Sequence, residues 1–173
     1  MNCVQLLKDQ LTWAHETMEA TMADVTSEVA NSPDTSKAMP VGAAYAHCVL
    51  AEDMVVSSML SNQPSLAKDP LEVGVSVLLP AMDHWDQHEH WYKTVKVDLV
   101  KLKVFAQQVY RASDDYLSGL SDSDLEKEMD TGMGMGNKSL AWVVSNFVIL
   151  HTANLTGEVS AAKGFQGLKG YPF

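Results

Sequence analysis

Basic side chains are scarce in this chain. Twelve Lys+Arg stand against 22 Asp+Glu, a formal charge of −10 at pH 7. That field repels phosphate backbones and anionic lipid surfaces, so neither nucleic acid nor membrane is an expected partner. Cysteine is scarcer still: Cys3 and Cys48 are too few for a disulfide framework, which fits a reducing cytoplasmic setting. The chain does not open on a basic segment followed by an apolar one, so no export signal is expected. The most apolar stretch, residues 140–150, is interrupted by Ser145 and Asn146 and falls short of the ~20 residues of a membrane span. Alternating strand patterns and internal repeats are also missing. What is there is 173 residues, 46% hydrophobic and 20% charged, enough for one domain over residues 1–173 with a sizeable core.

Four helical patterns fill that length. Val4, Leu7, Leu11, Ala14, Met18, Met22, Val25 and Val29 fall at steps of three and four, which predicts one long amphipathic helix ending at Asn31-Ser32-Pro33-Asp34. A second helix begins near Pro40 and carries Val41, Ala44, Cys48, Ala51, Val55 and Met59 to a stop at Asn62-Gln63-Pro64. Residues 62–91 hold Pro64, Pro70, Gly74 and Pro80 and end in the polar run His84-Trp85-Asp86-Gln87-His88-Glu89-His90-Trp91. They predict a long crossover with at most a helical turn or two. A third helix takes Val95, Leu99, Leu102, Ala106, Val109, Tyr116 and Leu120.

Ser121 to Asp124 and the glycine run 132–136 make the next connection, with Asn137 as the expected N-cap of helix four. The glycine run follows no predicted strand and lacks a Gly-Lys-Ser/Thr ending, so it reads as a hinge and not as a phosphate loop. Helix four carries the stripe Leu140, Val144, Phe147, His151, Asn154, Glu158, Ala162 and Phe165, and the glycine-rich tail after Gly164 is expected to pack back on the helices. The fold class is therefore all-α, a four-helix bundle whose long crossover between helices two and three makes those two parallel.

Ionisable residues on core-facing stripes must be neutral, paired or metal-bound. His15 lies on the inner face of helix one, His47 in helix two beside Cys48, and His151, Asn154 and Glu158 on one face of helix four. Imidazoles converging from several helices suit zinc, nickel or iron, whereas separately hydrogen-bonded core histidines are the plainer alternative. His84, His88 and His90 read as a solvent-rich segment with only adventitious metal affinity. Cys48 on its apolar stripe, and Met18, Met22, Met54 and Met59, read as core packing.

The segment Pro40-Val41-Gly42-Ala43-Ala44-Tyr45-Ala46-His47 with Glu52-Asp53, and the run from His151 through Gly157-Glu158-Val159-Ser160-Ala161-Ala162-Lys163-Gly164 to Gln166-Gly167-Leu168-Lys169-Gly170, resemble the DinB-like superfamily over most of the chain. The resemblance implies a four-helix bundle of up-down-down-up order, commonly a homodimer, and a divalent metal held by one histidine on helix two and two on helix four. His47 and His151 match two of those ligands, and the third position falls on Leu155, which cannot bind a metal. Two protein ligands rarely hold zinc or nickel tightly. His15 or Glu158 would have to complete the set, with Asn154 orienting a ring from behind; otherwise the metal is lost and the pocket kept. The first alternative implies a metal-dependent relative of thiol S-transferases or isomerases, in which the metal generates a thiolate from a low-molecular-weight thiol. The second implies a non-catalytic bundle that binds a small ligand or stabilises a dimer.

Overall fold

The computed structural model describes residues 2–32, 38–81, 84–132 and 134–173, the side chain of Trp85 excepted. Pro33 and Asp34 of the expected turn and Met133 of the glycine run lie outside the described residues. The chain is mostly helical, with α1 (Cys3–Thr21), α2 (Ser27–Ala30), α3 (Val41–Asp53), α4 (Pro70–Val73), α5 (Trp85–Thr94), α6 (Leu99–Ser118), α7 (Leu140–Val143) and α8 (His151–Phe165). A wider π-helical stretch, Met54–Leu60, extends α3, and a second, Val144–Leu150, joins α7 to α8 in one rod. Among the described residues no helix is long and apolar enough to cross a membrane.

The first helix is shorter than its stripe predicts, and its ends show why. Asn2 caps it by accepting from the Gln5 N–H, and the Asp122 carboxylate, from beyond the end of α6, accepts from the N–H groups of Cys3 and Val4. At the other end, Lys163 donates to the Thr21 carbonyl and the Asp24 carboxylate, and Lys103 donates to the Met22 carbonyl. Two ammonium groups thus take the carbonyls that a continuing helix would have used. Thr26 then caps α2 by accepting from Val29 N, while Met22 and Val25 stay buried as the stripe requires.

The crossover is more ordered than the proline count suggests. Asp53, at the end of α3 and 1% exposed, accepts from the hydroxyls of Ser57 and Ser65 and from the backbone N–H groups of Leu66 and Ala67. One buried carboxylate therefore fixes where the crossover leaves the helix. Its far end is pinned by an antiparallel bridge between Val75 and Val97 and by the Asn31 amide, which bonds both the N–H and the carbonyl of Val97 at 2.8 Å. Between these anchors the polar run expected as loop forms α5, with His88 and Trp91 buried and the Trp91 indole N–H donating to the Val77 carbonyl.

The glycine run closes a two-stranded hairpin, Glu128–Asp130 against Asn137–Ser139, and is no simple hinge. Gly132, Gly134 and Gly136 all have φ near +70°, a region that glycine enters without strain. Ser139, not Asn137, caps α7 by accepting from Trp142 N. The core forms two apolar clusters. One surrounds Met18, Met22, Tyr45 and Leu102, and the other Leu7, Leu11, Leu117 and Val143.

Asp53→Asn replaces two acceptor positions with donors that face N–H and O–H groups. Urea unfolding is expected to show a loss of about 2 kcal/mol or more. Lys163→Met, which strands the Thr21 carbonyl in a 2% exposed site, should cost a similar amount, whereas Asp24→Ala on the half-exposed partner should cost under ~1 kcal/mol.

Candidate functional site

The widened turn at Val144–Leu150 decides which residues of the last rod face inward. A π turn slips the register by about one residue, so the buried line runs Leu140, Val144, Val148, Thr152, Leu155, Val159 and Ala162. Asn154, Glu158 and Phe165, expected on the inner face, are exposed. His151 sits at the start of α8, partly buried, and meets His47 of α3, which is 9% exposed. Their Nε2 atoms lie 3.2 Å apart, with ring centres at 5.1 Å and planes at 66°.

The helix α5 closes over this pair. The ring centre of His88 is 6.1 Å and that of Tyr92 5.6 Å from the ring centre of His47, both edge to face. Nε2 of His88 lies 3.2 Å from the Ala81 carbonyl, and its Nδ1 faces the Tyr92 hydroxyl at 3.5 Å. The sequence signal for His88 was present, since His84, His88, Trp91 and Val95 keep helical spacing, but the surrounding charges masked it. Beyond Tyr92 opens a cavity of about 680 Å³ lined by Ala38, Met39, Pro40, Glu89, Tyr92, Lys93 and Glu158.

Burial dominates the electrostatics. It pushes the His47 imidazole down to about 3, with the neighbouring His151 and His88 acting in the same direction. His151 is also lowered by burial, against an opposing pull from the Glu52 carboxylate. Both rings are therefore neutral near pH 7, one Nε2–H donating and the other Nε2 accepting. Nδ1 of His47 is buried without a hydrogen bond among the described residues, an unmet demand of the order of 1–3 kcal/mol. Burial first, and then Glu52, raises the Cys48 thiol, whose Sγ donates to Thr152 Oγ1 at 3.7 Å, so Cys48 is packing and not a nucleophile.

His15 lies elsewhere. Its Nε2 meets both oxygens of Glu52 at 2.9 and 3.0 Å, its ring stacks on Tyr110 at 3.8 Å, and Ser113 donates to Glu52 Oε1. Tyr45 and Tyr110 both donate to Glu19 Oε1. Tyr45 and Glu52 entered the sequence reading only as part of a matching segment, and Ser113, Tyr110 and Glu19 were given no site role, because each looks like ordinary core or surface until its partner on another helix is known.

The expected metal can be tested on this geometry. Two imidazole nitrogens bound tetrahedrally to one zinc would stand about 3.3 Å apart, which the His47–His151 separation matches. The remaining donors fail: Leu155 is buried against the core, His15 is held by Glu52, and Asn154 and Glu158 face outward. Among the described residues no group of three His, Cys, Asp or Glu side chains is disposed to hold a metal. The residues present do not fit a tightly held ion.

No family model matches the chain, and no curated protein matches it. The crystal structure of a conserved protein from Enterococcus faecalis is similar, with a TM-score of 0.76 and 18% identity over 94% of this chain and 96% of that one. At that identity the likeness is one of fold alone.

The His47 shift has a thermodynamic sign. Between about 3 and the ordinary value of 6.5 the unfolded chain takes up a proton that the folded chain refuses, so stability is lost as the pH falls through that window. In His47→Gln the stability–pH slope between pH 6 and 4 should flatten by up to about 1.4 kcal/mol per unit, measured by urea unfolding at stepped pH.

Proposed function

We propose that this chain is a DinB-like four-helix bundle that has kept the family's pocket without its metal, and that it binds a small organic ligand in the cleft between α5 and α8. The bundle order up-down-down-up is supported by which residues meet. His15 and Glu19 of α1 pair with Glu52 and Tyr45 of α3, and Lys8 and Met22 pair with Asp114 and Lys103 of α6, so α1 runs against both. Toward α8, α1 runs in the same sense, as Thr17 lines a groove with Ala153 while Thr21 meets Lys163.

The observation that carries the ligand reading is the cavity of about 680 Å³ lined by Tyr92, whose ring also packs edge to face on His47. Glu89, Lys93 and Glu158 give it a charged rim, while Met39, Pro40 and Tyr92 give it apolar wall. Binding here calls on no metal and no thiol. The second reading, a labile two-histidine metal site of the kind a thiol transferase would need, is favoured by the 3.2 Å Nε2 separation alone.

Metal content by mass spectrometry on tag-free protein, after exhaustive dialysis, separates the two. Well under one zinc, nickel or iron per chain is expected, unchanged in His47→Ala and His151→Ala; stoichiometric metal lost in both variants would overturn the ligand reading. Leu155→His restores the third donor of the family pattern and should raise zinc affinity by at least about tenfold.

A homodimer belongs to the same proposal. The exposed Trp13, Leu150, Tyr171 and Phe173 border an apolar groove of about 600 Å³ between α1 and the last rod. A second copy covering that face predicts a dimer by sedimentation that Trp13→Glu weakens.

A further inference from the structure

The groove between α1 and the last rod, about 600 Å³ in volume, is built from three sources. Trp13 and Thr17 come from α1, Ser145 and Asn146 from the π-helical stretch, and Tyr171 and Phe173 from the segment that follows α8. Close packing on α8 holds that segment in place. Gly170 lies so near Ser160 that a Cβ on it would stand 2.5 Å from the hydroxyl oxygen, and its carbonyl accepts from Lys163 at 3.4 Å. Gly157 leaves the room that the Tyr171 hydroxyl uses, since a Cβ there would stand 3.2 Å from it. Two positions without side chains thus let the segment lie against the rod and bring its rings to α1.

Those rings are parallel. Phe173 is stacked with Trp13 at a ring-centre distance of 6.4 Å and 11°, and with Tyr171 at 5.8 Å and 4°. Trp13 is 62% and Phe173 76% exposed, so most of the surface of both rings is open. The floor makes no polar demand of its own: Ala14 is buried, and the hydroxyls of Thr17 and Thr156 donate to the Trp13 and Thr152 carbonyls of their own helices. At the edge, the Asn146 amide nitrogen donates to the Trp142 carbonyl and its side-chain oxygen remains as an acceptor. Among the described residues no Asp, Glu, Lys, Arg or His lines the groove, in a chain that carries a formal charge of −10. An ion entering it would lose water and meet no counter-charge. The π turn is a further sign, because such turns are rare and frequent at functional sites, and this one also supplies Ile149 and Leu150 to the lining.

We propose that this groove is a binding site for an uncharged planar aromatic molecule of one or two rings, which adds a layer to the stack of Trp13, Phe173 and Tyr171. Parallel aromatic surfaces favour a further ring in offset stacking beyond the area it buries. A saturated ring of the same size gains the area alone, and a carboxylate or an ammonium is desolvated without a partner. The volume is that of a small-molecule site. The site stands apart from the α5–α8 cleft, and it needs no second copy on that face.

The test is a titration of the full chain with 2-naphthol, read by the indole N–H resonance of Trp13 and by calorimetry. That resonance should move and saturate. 2-Naphthoate, the anion on the same ring system, and decahydro-2-naphthol, the saturated alcohol, should each bind more weakly by about tenfold or more. Trp13→Leu and Phe173→Leu, at exposed positions where the fold is not at stake, should weaken binding by about tenfold as well. Phe165→Leu removes an exposed aromatic ring outside the groove and should leave the affinity unaltered, and Tyr92→Leu in the α5–α8 cleft should leave the Trp13 titration unaltered. An unmoved Trp13 resonance, equal binding of decahydro-2-naphthol, or equal loss in Phe165→Leu would each overturn the proposal. Sedimentation of the same samples separates it from the dimer reading. A monomer that binds 2-naphthol removes the second copy and leaves the site, whereas a dimer whose Trp13 signal ignores 2-naphthol removes the site and leaves the second copy.

Discussion

Every residue of α3 is buried, and the rest of the structure follows from having to satisfy its polar side chains. A helix with no solvent face cannot leave Tyr45, His47, Glu52 or Asp53 to water, and each unmet group would cost of the order of 1–3 kcal/mol or more. Four directions supply the partners. From α1 come Glu19 for Tyr45 and His15 for Glu52, from α6 comes Ser113, from α8 comes His151, and the crossover folds back so that residues 65–67 can serve Asp53. The long connection and α5 are therefore no ornament on the helices, since they bury the face of α3 that the other long helices leave open. His47 Nδ1 is the one buried side-chain nitrogen or oxygen among the described residues that this arrangement leaves without a partner.

The helices themselves were legible from periodicity, because steps of three and four among Val, Leu, Ala and Met report burial whatever the partners are. The register of the last rod was not. A stripe read through Phe147, His151, Asn154 and Glu158 assumes a constant 3.6 residues per turn, and the π turn at Val144–Leu150 breaks that assumption. The slip puts Leu155 and Val159 where Asn154 and Glu158 were expected. No composition rule announces a π turn in Val-Ser-Asn-Phe-Val-Ile-Leu, so a constant helical pitch necessarily misplaces those two polar residues.

Long-range pairing was the other blind spot. His15 was placed correctly on an inner face, yet its partner Glu52 lies 37 residues away on another helix, and stripe reading carries no information about which faces meet. The same holds for Tyr45 and Tyr110, whose hydroxyls converge on one oxygen of Glu19 from different helices. α5 failed for the opposite reason. Its charged residues made it look solvated, while the spacing of His88, Trp91 and Val95 carried the burial that the structure bears out. His47 and His151 were legible as inward-facing residues of two separate helices, and the 3.2 Å contact shows that those two faces meet.

Glu52 stands between the two histidine clusters and shapes both. Its hydrogen-bonding capacity goes to His15 and Ser113, and what reaches His151 is only its field, which favours the protonated ring. Burial outweighs that field, so His151 stays neutral and its Nε2 is taken up by His47. The two histidine clusters thus differ in what holds them: His15 ties α1 to α3 through the Glu52 carboxylate, whereas His47 and His151 meet nitrogen to nitrogen and join α3 to α8.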